Sequence, residues 1–322
     1  MALSTRLTER FGLEHPVISA PMAFAAGGRL ATAVSEAGGL GLIGGGYGDR
    51  AWLSEQLAFV SPSSFGCGFI TWSLARQPDL LDLVLSQRPK AILLSFGDPA
   101  PFAARIKDAG AALICQVQTR RDAAHALECG ADVIVAQGGE AGGHGEARGT
   151  FTLVPEVADL IRQRAPQTLL CAAGGVGDGR GLAAALMLGA DGVLVGSRLW
   201  ASREANVGPK MHAAALAANG DDTIRSQVMD LARKLDWPTR YTARVLRNTY
   251  IARWHGREAE LMKVADEEAA KYRKAWAEGD PEGSNTFVGE VVGLITDIPS
   301  AQEILRRMVD DAETRLKSFS IQ

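Results

Sequence analysis

Cysteine is scarce in this chain and never paired. The four residues, Cys67, Cys115, Cys129 and Cys171, form no CxxC motif, so their spacing points to no zinc or iron–sulfur site. Three of them fall inside apolar runs, where a free cysteine packs as a small hydrophobe. No apolar run approaches the roughly 18 residues that a membrane helix needs. A formal charge of −3 and a pI near 6.0 give no electrostatic case for nucleic acid or an anionic membrane surface. The opening MALSTRLTERFG is charged and lacks an apolar signal core. These absences leave a cytoplasmic protein without a metal as the expectation, and nothing in them sets an oligomeric state.

Glycine, by contrast, is abundant at 36 residues, and it clusters where apolar runs end: 44–46, 138–139, 142–143 and 174–175. Short apolar runs occupy 16–20, 40–44, 64–71, 90–95, 112–117, 132–137, 168–172 and 192–196, with helical stretches between them. A repeated joint links helix to strand through a glycine: AGGLGLI, AGAALIC, CGADVIV and LGADGVLV. Gly38, Gly110, Gly130 and Gly189 therefore stand where a left-handed helix terminus is cheapest for glycine. Eight strands alternating with helices predict a TIM-type (β/α)8 barrel over 1–200, with an open doubly wound sheet as the rival. Beyond residue 200 the rhythm stops. Stretches 203–218 and 258–279 look helical and charged, and 300–318 is amphipathic. The expectation for 201–322 is a mainly helical C-terminal segment, without recognisable strands, packed on the barrel as a lid.

The stretch LLCAAGGVGDGRGLAAALMLGADGVLVGS at 169–197 is the most informative. It reads as barrel strands seven and eight, each ending in small residues. Backbone N–H groups exposed side by side at such turns hold a phosphate dianion. GVGDG within it is only a weak dinucleotide signal, because no acidic residue on a following strand supports it. Asp178 is read as the cap of the next helix.

AQGGEAGGHGEARG at 136–149 follows strand six. Gln137 ends that strand and points into the barrel mouth, where its amide can donate and accept along a heterocycle edge. His144 is the one histidine of five in a glycine-rich loop at this face, with nothing apolar beside it in sequence to bury it. An imidazole there can serve as base, acid or hydrogen-bond donor. Glu140 either orients it or bonds loop amides, the second being favoured. Near the start, Pro21 fixes the chain after strand one and Met22 can lie against an aromatic ring system.

Together the segments APMAFAAGGRLATAVSEAGGLGLIGGG at 20–46, QGGEAGGHG at 137–145 and AAGGVGDGRGLAAALMLGADGVLVGSRL at 172–199 resemble the nitronate monooxygenase family, formerly called 2-nitropropane dioxygenases. DWPTRYTARVLRN at 236–248 and GLITDIPSAQEIL at 293–305 are similar to its fungal type more loosely. The resemblance implies an FMN-bound barrel that oxidises alkyl nitronates, and neutral nitroalkanes, with O2. It implies that Ala20, Met22 and Gln137 contact the flavin and that Gly142 and Gly143 shape its pocket. Gly174, Gly175, Gly196 and Ser197 would hold the phosphate, and His144 would be catalytic.

Two positions depart from the pattern. Gly68 or Phe69, in GCGFITW, stands where many relatives carry an Asn, and Gln116 where some carry a Lys. An FMN-dependent NAD(P)H reductase of quinones or enoyl thioesters therefore stays open beside the oxygenase. From a different class, so does a phosphate-binding barrel isomerase or lyase without flavin.

Overall fold

Each glycine-ended apolar run of the first 200 residues becomes a strand in the computed structural model, which describes residues 3–318. The first two and last four residues of the stretches read above lie outside the described residues. The barrel strands are β1 (Val17–Ser19), β2 (Leu42–Gly44), β3 (Gly66–Ile70), β4 (Ala91–Ser95), β5 (Ala112–Val117) and β6 (Val133–Gln137), then β8 (Leu169–Ala173) and β9 (Gly192–Val195). All pair in parallel in the order β1-β9-β8-β6-β5-β4-β3-β2. The ring closes between β1 and β2, where Ser19 N–H donates to the Leu40 carbonyl and Leu40 N–H to that of Val17, each at 2.9 Å. This is the TIM-type barrel the sequence predicts; the open-sheet rival fails because both edges find each other.

Strand alternation divides the core in two, as a period of two dictates. Val133 and Val135 face the barrel interior with Ile114, Leu93 and Cys171. Ile134 and Ala136 face outward into the layer between strands and helices. Leu7 and Phe11 of the first helix, Arg6–Phe11, join the interior cluster and plug the end where the strands begin. The four predicted joint glycines carry φ of +85°, +77°, +74° and +95° in chain order.

The segment after residue 200 differs from expectation in one respect. Alongside its helices it holds two strands, β10 (Thr223–Ser226) and β11 (Thr242–Leu246), which pair antiparallel. β11 then pairs with β7 (Gly143–Gly145), a three-residue strand rising from the loop after β6. TIRS, TARVL and GHG are too short and too polar to give an alternating signal. The last helix, Ala301–Ser318, packs on Gly179–Met187 and Gly28–Glu36, so it completes the outer helical ring between the last and first barrel units.

Candidate active site

The strand ends and the C-terminal segment enclose one cavity of about 380 Å³. Ala20, Met22, Gln137, Gly142, Gly143, His144, Gly174, Gly175, Gly196 and Ser197 all line it, so residues far apart in sequence share one site. Its floor is the turn after β1. Gly68 lies against Pro21 so closely that a Cβ would meet the proline ring at 2.2 Å. A side chain at Gly68 has no room here.

At the ends of β8 and β9 the backbone is opened. Gly174 and Gly175 hold φ of +98° and +73°, a conformation that side chains resist. Among the described residues, the N–H groups of Gly174, Gly175 and Gly196 donate to no backbone carbonyl and to no side chain. Unused donors converging at adjacent strand ends fit a phosphate group. The Ser197 hydroxyl accepts from Gly289 N–H at 2.9 Å, which ties the C-terminal segment to this cradle. The Asp178 carboxylate caps the following helix, as its sequence predicts.

The loop 138–149 is held from three sides. The Glu140 carboxylate accepts from the Thr150 N–H at 3.0 and 3.1 Å and from its hydroxyl at 2.8 Å, so Glu140 anchors the loop and does not orient the histidine. Arg225 and Arg244, cross-strand partners on β10 and β11, both donate to the Gly139 carbonyl. Burial, then the neighbouring Arg244 charge, pull Arg225 down to about 10. Gly142 faces Val288 and Gly289 so tightly that a Cβ would lie 2.5 Å from the Gly289 nitrogen. Gln137 is more occupied than its sequence position suggests: its carbonyl oxygen accepts from Gln118 Nε2 at 2.7 Å, and its own Nε2 donates to the His144 carbonyl at 3.1 Å.

His144 itself is buried, contrary to the expectation from its glycine neighbours. The burying group comes from elsewhere: Trp237 stacks on the imidazole with centroids 3.4 Å apart and planes 6° from parallel. Tyr47, Trp72, Phe96 and Tyr241 surround that indole edge-on, and Trp237 Nε1 donates to the Tyr47 hydroxyl at 3.2 Å. His144 Nε2 lies 2.8 Å from Oδ2 of Asp230, on the helix Val228–Ala232. Asp230 is 3 % exposed and its other oxygen has no partner. A carboxylate only accepts, so Nε2 carries the proton and the neutral ring keeps a lone pair on Nδ1. No described residue engages Nδ1. Burial lowers the histidine below its ordinary 6.5 while the Asp230 hydrogen bond and charge oppose that shift; the neutral, proton-accepting form is the resting one near neutral pH.

Sequence reasoning missed Asp230, Arg233, Trp237 and Asn285. The only trace of them was the DWPTR run at 236–240.

Fold and site define a (β/α)8 barrel with unused glycine N–H groups at two strand ends and a buried histidine roofed by its own C-terminal segment. The family model described as nitronate monooxygenase matches residues 4–62 and 73–311, and the chain belongs to that family. It is 34 % identical to the nitronate monooxygenase of Neurospora crassa, over 94 % of this chain and 90 % of that one. It is 30 % identical to (3aS,4S,5R,7aS)-5-hydroxy-7a-methyl-1-oxo-octahydro-1H-indene-4-carboxyl-CoA dehydrogenase of Mycobacterium tuberculosis, over 99 % of both chains. Among solved structures it is similar to FabK from Thermotoga maritima, with a TM-score of 0.85, 31 % identity and 98 % of each chain covered. The protein is a flavin-dependent oxidoreductase, which removes the flavin-free isomerase or lyase reading. No helix among the described residues is long and apolar enough to cross a membrane.

Proposed function

We propose that this protein binds FMN and oxidises alkyl nitronates, and the nitroalkanes from which they derive, with O2. The observation that carries the reading is the imidazole of His144, tied at Nε2, free at Nδ1 and neutral, inside a cavity whose other end is a cradle of unused glycine N–H groups. One such cradle, with no dinucleotide fingerprint beside it, favours FMN over a dinucleotide. Gly174, Gly175, Gly196 and Ser197 would hold that phosphate, with Ala20 and Met22 under the ring system. When bound, FMN supplies electron transfer between substrate and O2.

His144 works on the neutral substrate. Its Nδ1 lone pair takes the proton from the carbon bearing the nitro group, which leaves the nitronate in the cavity and an imidazolium whose charge Asp230 balances. Preformed nitronate needs no such step. The Trp237 stack fixes the ring plane, and the aromatic wall keeps bulk water from the carbon acid. Gln137 contributes by holding the His144 carbonyl.

A second reading is favoured by the similarity to the CoA-ester dehydrogenase: reduction or oxidation of an acyl thioester with a nicotinamide partner. Anaerobic mixing of the yellow protein with a nitronate, or with NADH or NADPH, separates the two. Bleaching of the flavin by nitronate on the catalytic timescale, with far slower bleaching by nicotinamide, is expected. Rapid reduction by nicotinamide and none by nitronate would replace the oxygenase with the reductase.

A further inference from the structure

One turn beyond Asp230, the side chain of Arg233 enters the same cavity from the C-terminal segment. Its guanidinium lies over the Tyr47 ring at 4.9 Å to the centroid and over that of Phe287 at 5.8 Å. No carboxylate of the described residues comes within 4.0 Å of it. This is an unusual economy: a guanidinium has five N–H donors in a planar fork and ordinarily spends them on a carboxylate when it leaves bulk water. Here aromatic faces and the Tyr47 hydroxyl serve the cation, and no carboxylate takes up the rest of the fork. Burial disfavours the charge, but Tyr47, Tyr272 and Asp230 outweigh it, so the group is held more firmly protonated than usual.

A second observation is independent of the arginine. Asn285 also lines the cavity and is 2 % exposed, yet neither its amide nitrogen nor its amide oxygen has a hydrogen-bond partner. Leaving a buried amide unpaired is destabilising, since its desolvation is not repaid by a hydrogen bond. Tyr272 senses both the Arg233 charge and the Asn285 backbone N–H. Loop geometry alone does not explain a buried amide with no partner and a guanidinium with no carboxylate lining one cavity; a ligand does.

We infer that Arg233 and Asn285 form a subsite for a planar oxyanion carried by the substrate, which on the reading above is the nitronate group itself. A nitronate is a flat, bidentate anion of carboxylate shape, matched to the guanidinium fork, and the Asn285 amide nitrogen can donate to one of its oxygens. His144 then meets the carbon while Arg233 holds the charge. The inference rests on the nitronate reading for the identity of the anion, not for the existence of the subsite.

Propionate tests it, since it has the heavy-atom skeleton of ethylnitronate and nothing to oxidise. Titrated into the flavin-loaded protein, propionate should perturb the flavin spectrum saturably and compete with ethylnitronate. Arg233→Gln should weaken propionate binding by about 10–100-fold, the worth of a charge-assisted bidentate contact. It should lower the preference for ethylnitronate over neutral nitroethane by a similar factor. Asn285→Asp provides a check that keeps the arginine in place: its new carboxylate occupies the fork, and propionate binding should fall comparably. No saturable propionate binding by the wild type, or unchanged binding in both folded variants, overturns the subsite. Propionate binding that depends on Arg233 in a protein that does not oxidise nitronate keeps the subsite and overturns only the assigned substrate.

Discussion

The barrel and the segment that follows it contribute to the cavity in opposite ways. The barrel offers backbone: unused N–H groups at Gly174, Gly175 and Gly196, and close approaches at Gly68 and Gly142 that a Cβ would block. The segment offers side chains: Asp230, Arg233, Trp237 and Asn285. A group recognised by main chain is recognised by shape and by negative charge, whatever reaction follows. A group met by side chains is recognised by its particular chemistry. We read the proposed division at residue 200 in this light, with the barrel as a general holder and the segment as the part that chooses the substrate. The segment is no loose addition, since β11 pairs with the His144 strand and the last helix completes the barrel wall.

The comparison breaks first at His144, a barrel-loop residue that only the segment completes. His144→Ala should lower turnover of neutral nitroalkane by about 10²–10⁴-fold, as for loss of a positioned base, and lower that of preformed nitronate far less. Steady-state rates on the two substrates check this; equal losses on both would make His144 a positioning group. Flavin content should not change.

Asp230→Asn isolates what the segment contributes to that base. Removing a partner that orients a functional histidine typically costs about 10–100-fold. The pH profile sharpens the test. His144 must be neutral to accept a proton, so the rate on nitroalkane falls as pH drops through its pKa, which burial holds below 6.5 against the opposing pull of Asp230. Without the carboxylate the pKa falls further. The acid limb should therefore move to lower pH even as the plateau rate drops. A limb that stays put would separate Asp230 from the titration.

Ser197→Asp tests the backbone side of the comparison. The new carboxylate can still accept the Gly289 N–H that the serine hydroxyl accepts now, so the tie to the segment survives while a negative charge enters the cradle. FMN affinity should fall by about 10-fold or more, as expected for like charges brought within a few ångströms. Fluorescence of released flavin measures it, and equal retention would move the phosphate elsewhere.

How much of this was legible follows the same division. The eight strands and the joint glycines could be read because the βα unit repeats, and each repeat carries its own period and its own stop. The turns after β8 and β9 could be read because only glycine-rich sequence opens a backbone in that way. Asp230 could not be read: it meets His144 across 86 residues of chain, from a five-residue helix with no distinctive pattern. The burial of His144 was hidden for the same reason, since Trp237 arrives from a loop between two short strands. Glu140, four residues from His144, was the nearer candidate, and its carboxylate instead closes on Thr150.

The smallest effect is expected at Trp237, where the two regions touch without exchanging a proton. Its indole makes two separable contributions: a face stacked on the imidazole at 3.4 Å and an N–H donated to Tyr47 at 3.2 Å. Trp237→Phe keeps an aromatic face and removes the donor. Tyr47 then loses one partner, which costs about 0.5–1.5 kcal/mol for a neutral hydrogen bond, and the smaller ring gives up part of its edge contacts with Trp72 and Phe96. The unfolding midpoint should fall modestly and turnover should stay within a few-fold, because Asp230 still fixes the tautomer. Trp237→Ala removes the face as well, and nitroalkane turnover should then drop further than stability alone explains, since the ring plane of His144 is no longer held. If Trp237→Phe proved as damaging as His144→Ala with flavin content intact, the indole N–H would be acting on the reacting atoms, and the segment would be doing chemistry as well as choosing substrate.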